Sequence, residues 1–389
     1  MRILHTSDWH LGRSFHRVGM LDHQVRFVDH LVEAVRSEGI DLVVLAGDVY
    51  DRALPSVDTV AVLDDALSRL LDAGAQVLLT SGNHDSAGRL GFASRVLEHG
   101  GVHLRTRVSD LARPVLLGDE HGPVALYGLP YLEPAMCAEQ LGADRSHQGV
   151  LSAAMARVRA DLAARSATSS SPTRSVVAAH AFVLGGQASD SERDISVGGV
   201  GAVPQSVFDG ADYVALGHLH GRQRVAETVR YSGSPLAYSF SEAGHVNGSW
   251  VVDLGPSGVS AVTSLPAPVP RALALLRGHL DDLLADPVHL FAEQAWCQVV
   301  LTDTMRPRAA MARLQQRFPH TLSLGFEPDG AAERTDGYAS RVRGRSEIDV
   351  CCGFLEHVRG AGADEGERDL LGRALEQSRL AAVDQGDAA

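Results

Sequence analysis

Five apolar runs in this chain stop on the same few residue types, and this constrains the fold more than any other feature. "ILHTSDWH" leads into Asp8 and His10, "LVVLAG" into Asp48, "VLLTSG" into Asn83 and His84, "VVAAH" ends on His180, and "YVALGH" ends on His218 with His220 two residues on. A short aliphatic, β-branched run bounded by glycine reads as a buried strand. Between the runs the period changes: "HQVRFVDHLVEAVRSEG" places Val25, Val28, Leu31, Val32 and Val35 on one helical face before Gly39 stops it. A second helix is expected over 57–71 and a third over about 150–164. Strand alternating with helix predicts an α/β chain whose sheet is covered by crossover helices. In such sheets, ligand sites assemble just beyond the strand ends.

The residues at those ends define a chemistry. Asp8, His10, Asp48, Asn83, His180, His218 and His220 form a nitrogen and oxygen donor set without a thiolate, which suits Mn²⁺, Fe or Zn²⁺ in an open, water-bearing site. Seven donors exceed what one open ion takes, but suit two ions sharing a carboxylate. A pair of metals roughly 3.5–4 Å apart is the arrangement that activates a water for phosphoester hydrolysis. In a strand, His218 and His220 would point the same way with Leu219 opposite. Taken singly, each residue has a plainer reading: Asp48 as a turn aspartate, Asn83 as a turn residue after Gly82, His180 as a core histidine. Five such motifs in this order after five strands favour the metal reading.

Composition narrows the rest. The formal charge of −13 argues against a self-sufficient nucleic-acid binder. There is no lysine, so all 35 basic residues are arginine, which excludes both Schiff-base chemistry and a Walker A triphosphate loop. Cys137, Cys297, Cys351 and Cys352 form no C-x-x-C pair and read as four buried, reduced thiols. The opening residues contain no signal-peptide core, and no apolar run reaches membrane-spanning length, so a cytoplasmic protein without membrane association is expected. "RSATSSSPTRS", Arg165 to Ser175, reads as a flexible polar loop, and the three prolines of "PAPVPR", Pro266 to Arg271, mark a domain boundary. Beyond it a small α+β unit is expected to about residue 335. A final amphipathic helix follows, with Ser346 and Asp349 as a capping box and Ile348, Cys351, Cys352, Leu355 and Val358 on one face.

The order D-x-H, G-D-x-x-D, G-N-H-D, H, G-H-x-H resembles the calcineurin-like metallophosphoesterases. "TSDWHLG", "AGDVYDRALPS", "SGNHDS", "SERDISVGGVGAVPQSVFDGADYVALGHLHG" and "VRYSGSPLAYSFSEAG" resemble, more narrowly, its SbcD/Mre-type nuclease family. The resemblance implies a four-layer α/β/β/α sandwich over 1–265, a small α+β capping domain over 271–335, and C-terminal partner-docking helices with a polar tail over 340–389. It implies two Mn²⁺ ions per chain, with Mg²⁺, Fe or Zn²⁺ as substitutes. Asp8, His10, Asp48 and His220 would hold one ion, and Asp48, Asn83, His180 and His218 the other, with Asp48 bridging. His84 would assist the leaving 3′ oxygen without binding metal, and Asp85 would orient His84 or its loop. The implied activity is exonucleolytic and endonucleolytic cleavage of DNA in repair, recombination and replication, close to the nucleoid. The implied assembly is a homodimer within a heterotetramer with an SbcC-type coiled-coil ATPase, for which Ile348, Leu355 and Val358 are the candidate docking face. The acidic charge leaves a second reading open, a small-molecule phosphodiesterase or phosphatase on the same scaffold.

Overall fold

A computed structural model describes residues 1–169, 171–192, 201–329 and 345–386. The chain divides into two compact units, Met1–Ala272 and Leu273–Ala389.

The first unit contains two six-stranded sheets. In chain order its strands are β1 (Arg2–Thr6), a small hairpin β2 (Ser14–Phe15) and β3 (Val18–Gly19), β4 (Leu42–Ala46), β5 (Gln76–Thr80), β6 (Val102–Arg105), β7 (Val115–Asp119), β8 (Gly122–Leu129), β9 (Arg174–His180), β10 (Tyr213–Gly217), β11 (Gln223–Arg224), β12 (Val229–Tyr231), β13 (Gly248–Gly255) and β14 (Gly258–Pro266). One sheet runs β14-β13-β1-β4-β5-β6, the other β11-β12-β10-β9-β8-β7. Neighbours β1, β4 and β5 are parallel, as are β9 and β10, so the ends named by the sequence motifs emerge side by side within each sheet.

Alternation along these strands builds three apolar layers. Ile3, Leu42, Val44 and Leu78 meet Val124, Leu126, Val176, Ala178 and Ala215 between the sheets. Leu4, Val43, Leu45, Val77 and Leu79 face helices α1 (Leu21–Glu38) and α2 (Val57–Asp72). Tyr127, Val177, Val214 and Leu216 face α3 (Pro134–Leu141) and α4 (His147–Thr168). The result is a four-layer α/β/β/α sandwich. Each fully buried aliphatic side chain contributes roughly 1.5–3 kcal/mol, so the seam between the sheets fixes how far apart their strand ends lie.

Several local expectations change. The buried stripe of α1 is Gln24, Phe27, Val28, Leu31, Val32 and Val35, while Val25 is only half-buried at its edge. The segment read as a loop from Arg165 to Ser175 is mostly ordered: α4 continues to Thr168 and β9 begins at Arg174. The physical cause is an ion pair that a polar composition hides. The Arg174 guanidinium, 2% exposed, lies 2.5 Å from Asp119 Oδ1 and donates to the Gly122 carbonyl. The proline-rich boundary begins late, because β14 extends through Pro266 and Ala267 packs in the first core.

In the second unit, β15 (Leu273–Gly278), β16 (Trp296–Leu301) and β17 (Thr321–Phe326) form a parallel sheet in that order. Parallel pairing requires crossovers, and α5 (Leu280–Ala285) and α6 (Ala310–Arg317) supply them, burying Leu280, Leu283 and Leu314 with Ala274, Leu276, Val299 and Phe318. Then come α7 (Glu347–Arg359), whose Ser346 side chain accepts from the Asp349 amide, and α8 (Glu365–Gly386), formed by the polar tail. Arg359 pairs with Glu367, and Arg368 with Asp349, tying the two helices together. On α7, Ile348, Cys351, Cys352 and Leu355 are half-buried and Val358 is 64% exposed, so only Cys137 and Cys297 are the buried thiols expected of all four. Among the described residues no helix is long and apolar enough to cross a membrane.

Candidate metal centre

Three of the strand ends, those of β1, β4 and β10, hand their side chains to the site through a strained loop. Asp8, His10, Asp48 and His218 have φ of 53°, 44°, 48° and 108°, a region L residues enter only when the surroundings enforce it. Close packing of the loops does so. A Cβ on Gly82 would lie 2.1 Å from Asp48 Oδ1, and one on Gly217 would lie 1.9 Å from the Ala46 carbonyl, so the glycines of these motifs let one loop pass against the next. Strand β10 ends at Gly217. His218 and His220 therefore leave the strand before their side chains could align on one face, and they meet different rings: His218 packs beside His180, centroids 5.4 Å apart, and His220 beside His10, at 4.9 Å.

Three groups of ligand atoms converge, each within 4.8 Å: Asp8, His10 and His220; Asp8, Asp48 and His180; and His10, Asp48 and His84. Asn83 joins through its Oδ1, 2.9 Å from His180 Nε2. His218 joins through its backbone, its N–H donating to Asp8 at 3.0 Å. All seven residues read as ligands thus border one cluster, and six of them are buried.

The cluster is built for positive charge. His10 Nε2 and His220 Nε2 face each other at 3.0 Å, and His180 donates Nδ1–H to the Ala46 carbonyl at 3.0 Å, leaving its Nε2 lone pair towards Asn83 and Asp48. Burial holds His10 and His218 well below the usual imidazole range, helped by neighbouring histidines, so both rings present lone pairs as a metal requires. Burial also pushes Asp8 up to about 7, against the pull of His180 and with Asp48 beside it, because two carboxylates share a dry space. Although burial opposes it, Glu242 and Asp8 raise His220 above its ordinary value. A divalent cation relieves these conflicts together, and the nitrogen and oxygen donors fit a metal of the Mn, Fe or Zn class.

His84 and Asp85 divide their work. The His84 amide donates to Asp48 Oδ1 at 2.9 Å, and its Nδ1 donates to the Asp51 carbonyl at 2.9 Å, which turns Nε2 to 3.9 Å from Asp48 Oδ2. Asp85 accepts amides from Val49, Tyr50 and Gly82 at 2.9–3.1 Å, so it holds the loops and not the His84 ring.

Sequence reasoning left several contributors without a role. Ser7 donates to Asp8, Gln24 donates to the His10 carbonyl at 2.8 Å, and Tyr238 donates to the Trp9 carbonyl at 2.6 Å. Glu242, 1% exposed, stands 3.0 Å from His220 Nδ1. Asp51 had a signal, as the second aspartate of "GDVYD", and Ser7 directly precedes Asp8 in "ILHTSDWH"; Tyr238 and Glu242 lie within "VRYSGSPLAYSFSEAG", and Gln24 lies outside the strand-end motifs.

A model of the calcineurin-like phosphoesterase family matches residues 1–222. A second, SbcD_C, described as the type 5 capsule protein repressor C-terminal domain, matches 269–359. Among solved structures, TT1561 of Thermus thermophilus is 13% identical, with 68% of this chain and 98% of that one covered and a TM-score of 0.40. A dimetal phosphatase from Danio rerio is also 13% identical, with 69% and 99% covered and a TM-score of 0.40. GAP50, the anchor in the inner membrane complex of Plasmodium, is 10% identical, with 85% and 98% covered and a TM-score of 0.35. With more than half its length matched and the metal-ligand cluster at its strand ends, the chain belongs to the calcineurin-like phosphoesterase family, and it carries the two-domain arrangement of an SbcD-type protein.

Proposed function

We propose that this chain is a Mn²⁺-dependent DNA nuclease, hydrolysing phosphodiester bonds with two ions, and the nuclease subunit of an SbcCD-type complex acting in DNA repair, recombination and replication. The observation that carries this reading is the sharing of Asp48 between two of the buried ligand groups, one with His10 and His84, the other with Asp8 and His180. That is a donor set wide enough for two neighbouring cations. The SbcD_C match supports DNA over a small-molecule substrate.

In this reading Asp8, His10, Asp48 and His220 hold one ion, and Asp48, Asn83, His180 and His218 the other. Bound metals supply activation of water and neutralisation of phosphate charge. The chain's own residues supply alignment and the proton. The Asp51 carbonyl fixes the His84 ring through Nδ1, and a proton at Nε2 passes to the departing 3′ oxygen. Asp85 keeps the Asp48 and Asn83 loops in register by taking amides from both. Ile348, Leu355 and Val358 on α7 dock a coiled-coil ATPase. That partner also supplies the ATP dependence, which no lysine-based loop of this chain can provide.

The test is an Mn²⁺-dependent assay of the purified chain on hairpin and linear duplex DNA with bis-p-nitrophenyl phosphate alongside, with and without an SbcC-type ATPase. Cleavage of DNA is the expected result. Hydrolysis of the small diester without any DNA cleavage, even with the ATPase present, would favour the small-molecule phosphodiesterase suggested by the charge of −13.

A further inference from the structure

We propose that Glu242 is the positioning residue of the His10–His220 site, fixing the His220 ring and, with Ser191 and Glu192, fastening segment 189–192 to it. The inference rests on the reading that this cluster binds divalent cations.

Glu242 ends a short helical turn, Phe240–Glu242, and is 1% exposed. A buried carboxylate persists only where its oxygens are satisfied, and these are. Oε1 stands 3.0 Å from His220 Nδ1, accepts the Ser189 hydroxyl at 3.0 Å and takes the Ser191 hydroxyl; Oε2 accepts the Tyr238 amide at 2.8 Å. Ser191 Oγ is itself 2.6 Å from His220 Nδ1. With acceptors on the Nδ1 side, the ring proton resides there. His220 Nε2 then presents its lone pair where it faces His10 Nε2.

The other rings of the cluster are held more weakly. The Nδ1 atoms of His180 and His84 donate to peptide carbonyls of Ala46 and Asp51. His10 Nδ1 has no hydrogen-bond partner among the described residues. Among the described residues a carboxylate stands within hydrogen-bonding distance of His220 Nδ1, whereas the one nearest His10 Nδ1, Asp51, lies 3.8 Å away; a carboxylate at hydrogen-bonding distance raises the basicity of His220 as a ligand as well as fixing its orientation. A second carboxylate fixes its backbone: Glu192 Oε1 accepts the His220 amide at 2.7 Å, while Glu192 Oε2 accepts the Ser189 amide at 2.7 Å. Arg13 closes the arrangement by donating to the Ser191 carbonyl at 2.7 Å. A ligand imidazole, a buried glutamate and a surface segment thus form one hydrogen-bonded unit.

The experiment titrates the full metal-free chain with Mn²⁺ by calorimetry, with electron paramagnetic resonance as the second readout. Wild type is expected to bind two equivalents. Glu242→Gln keeps the shape and removes the charge, and should weaken one equivalent about 10- to 100-fold while sparing the other. Glu242→Asp should recover part of the loss, and Ser191→Ala should weaken the same equivalent by less. The metal-free thermal midpoint of Glu242→Gln should fall, because the amide nitrogen cannot accept where one carboxylate oxygen did, so affinities are compared on the folded fraction, and if that variant fails to fold, Ser191→Ala carries the test alone. Wild-type affinity at both equivalents in the folded variants would overturn the proposal, as would equal loss at both. Wild type binding no second equivalent would instead remove the two-ion reading, before any substitution is made.

Discussion

Replacing His84 with alanine separates proton transfer from metal binding. The backbone of His84 serves the site independently of its ring, since the amide that donates to Asp48 Oδ1 at 2.9 Å survives the substitution. What is removed is an imidazole, buried to 6% exposure, with its bond to the Asp51 carbonyl, so folding should lose about 1 kcal/mol from that hydrogen bond in addition to the packing of the ring against His10. General acid help is worth about 10²- to 10⁴-fold. At 1.36 kcal/mol per tenfold this is about 2.7–5.4 kcal/mol of barrier. The loss should depend on the leaving group. A 3′ alkoxide is a poor one and needs the proton from Nε2, whereas p-nitrophenolate leaves without it. With Mn²⁺ saturating, kcat on a DNA hairpin should therefore fall by the full factor, and kcat on bis-p-nitrophenyl phosphate by much less, with metal content near wild type. His84 stands in one convergent group with His10 and Asp48, so the competing role is ligation. Loss of metal in His84→Ala, or equal losses on both substrates, would refute the leaving-group role.

Asp48→Asn should lose metal and activity together, because it removes the charge within reach of His10, His84 and His180; elemental analysis after gel filtration reads this directly. Asp119→Ala leaves the Arg174 guanidinium, 2% exposed, without its carboxylate and should cost about 3–5 kcal/mol in urea unfolding. The hydrogen bond from Arg174 holds Asp119 well below the usual carboxylate range. Its stabilisation is therefore complete above a pH of about 4 and disappears as pH falls through the depressed folded value, so an acid limb of wild-type stability should flatten in the variant. Joint replacement of Leu355 and Val358 by aspartate should weaken binding to a coiled-coil ATPase, measured by calorimetry, and leave Mn²⁺-dependent hydrolysis of the small diester unchanged; unfolding of the second unit instead would assign this face to the chain's own packing.

The periodicity of the chain alone specified alternating strands and helices, and the residues following "LVVLAG" and "VLLTSG" specified a nitrogen and oxygen donor set, because strand period and donor chemistry are local properties. Local signals failed where the deciding partner lies far along the chain. The order of Arg174 depends on Asp119, 55 residues away, so composition read a loop where an ion pair starts a strand. Val25 and Phe27 are both apolar, and only packing against the sheet chose Phe27. His218 and His220 had the spacing of one strand face, but the strand stops at Gly217, where the Ala46 carbonyl of the opposite sheet leaves no room for a side chain. Glu242 and Ser191 lie within "VRYSGSPLAYSFSEAG" and "SERDIS", but nothing local to those stretches names their partner His220, which they reach across 22 and 29 residues. Strand pattern and ligand chemistry are written residue by residue, whereas the position of each ring is set by contacts that exist only once the two sheets close on each other.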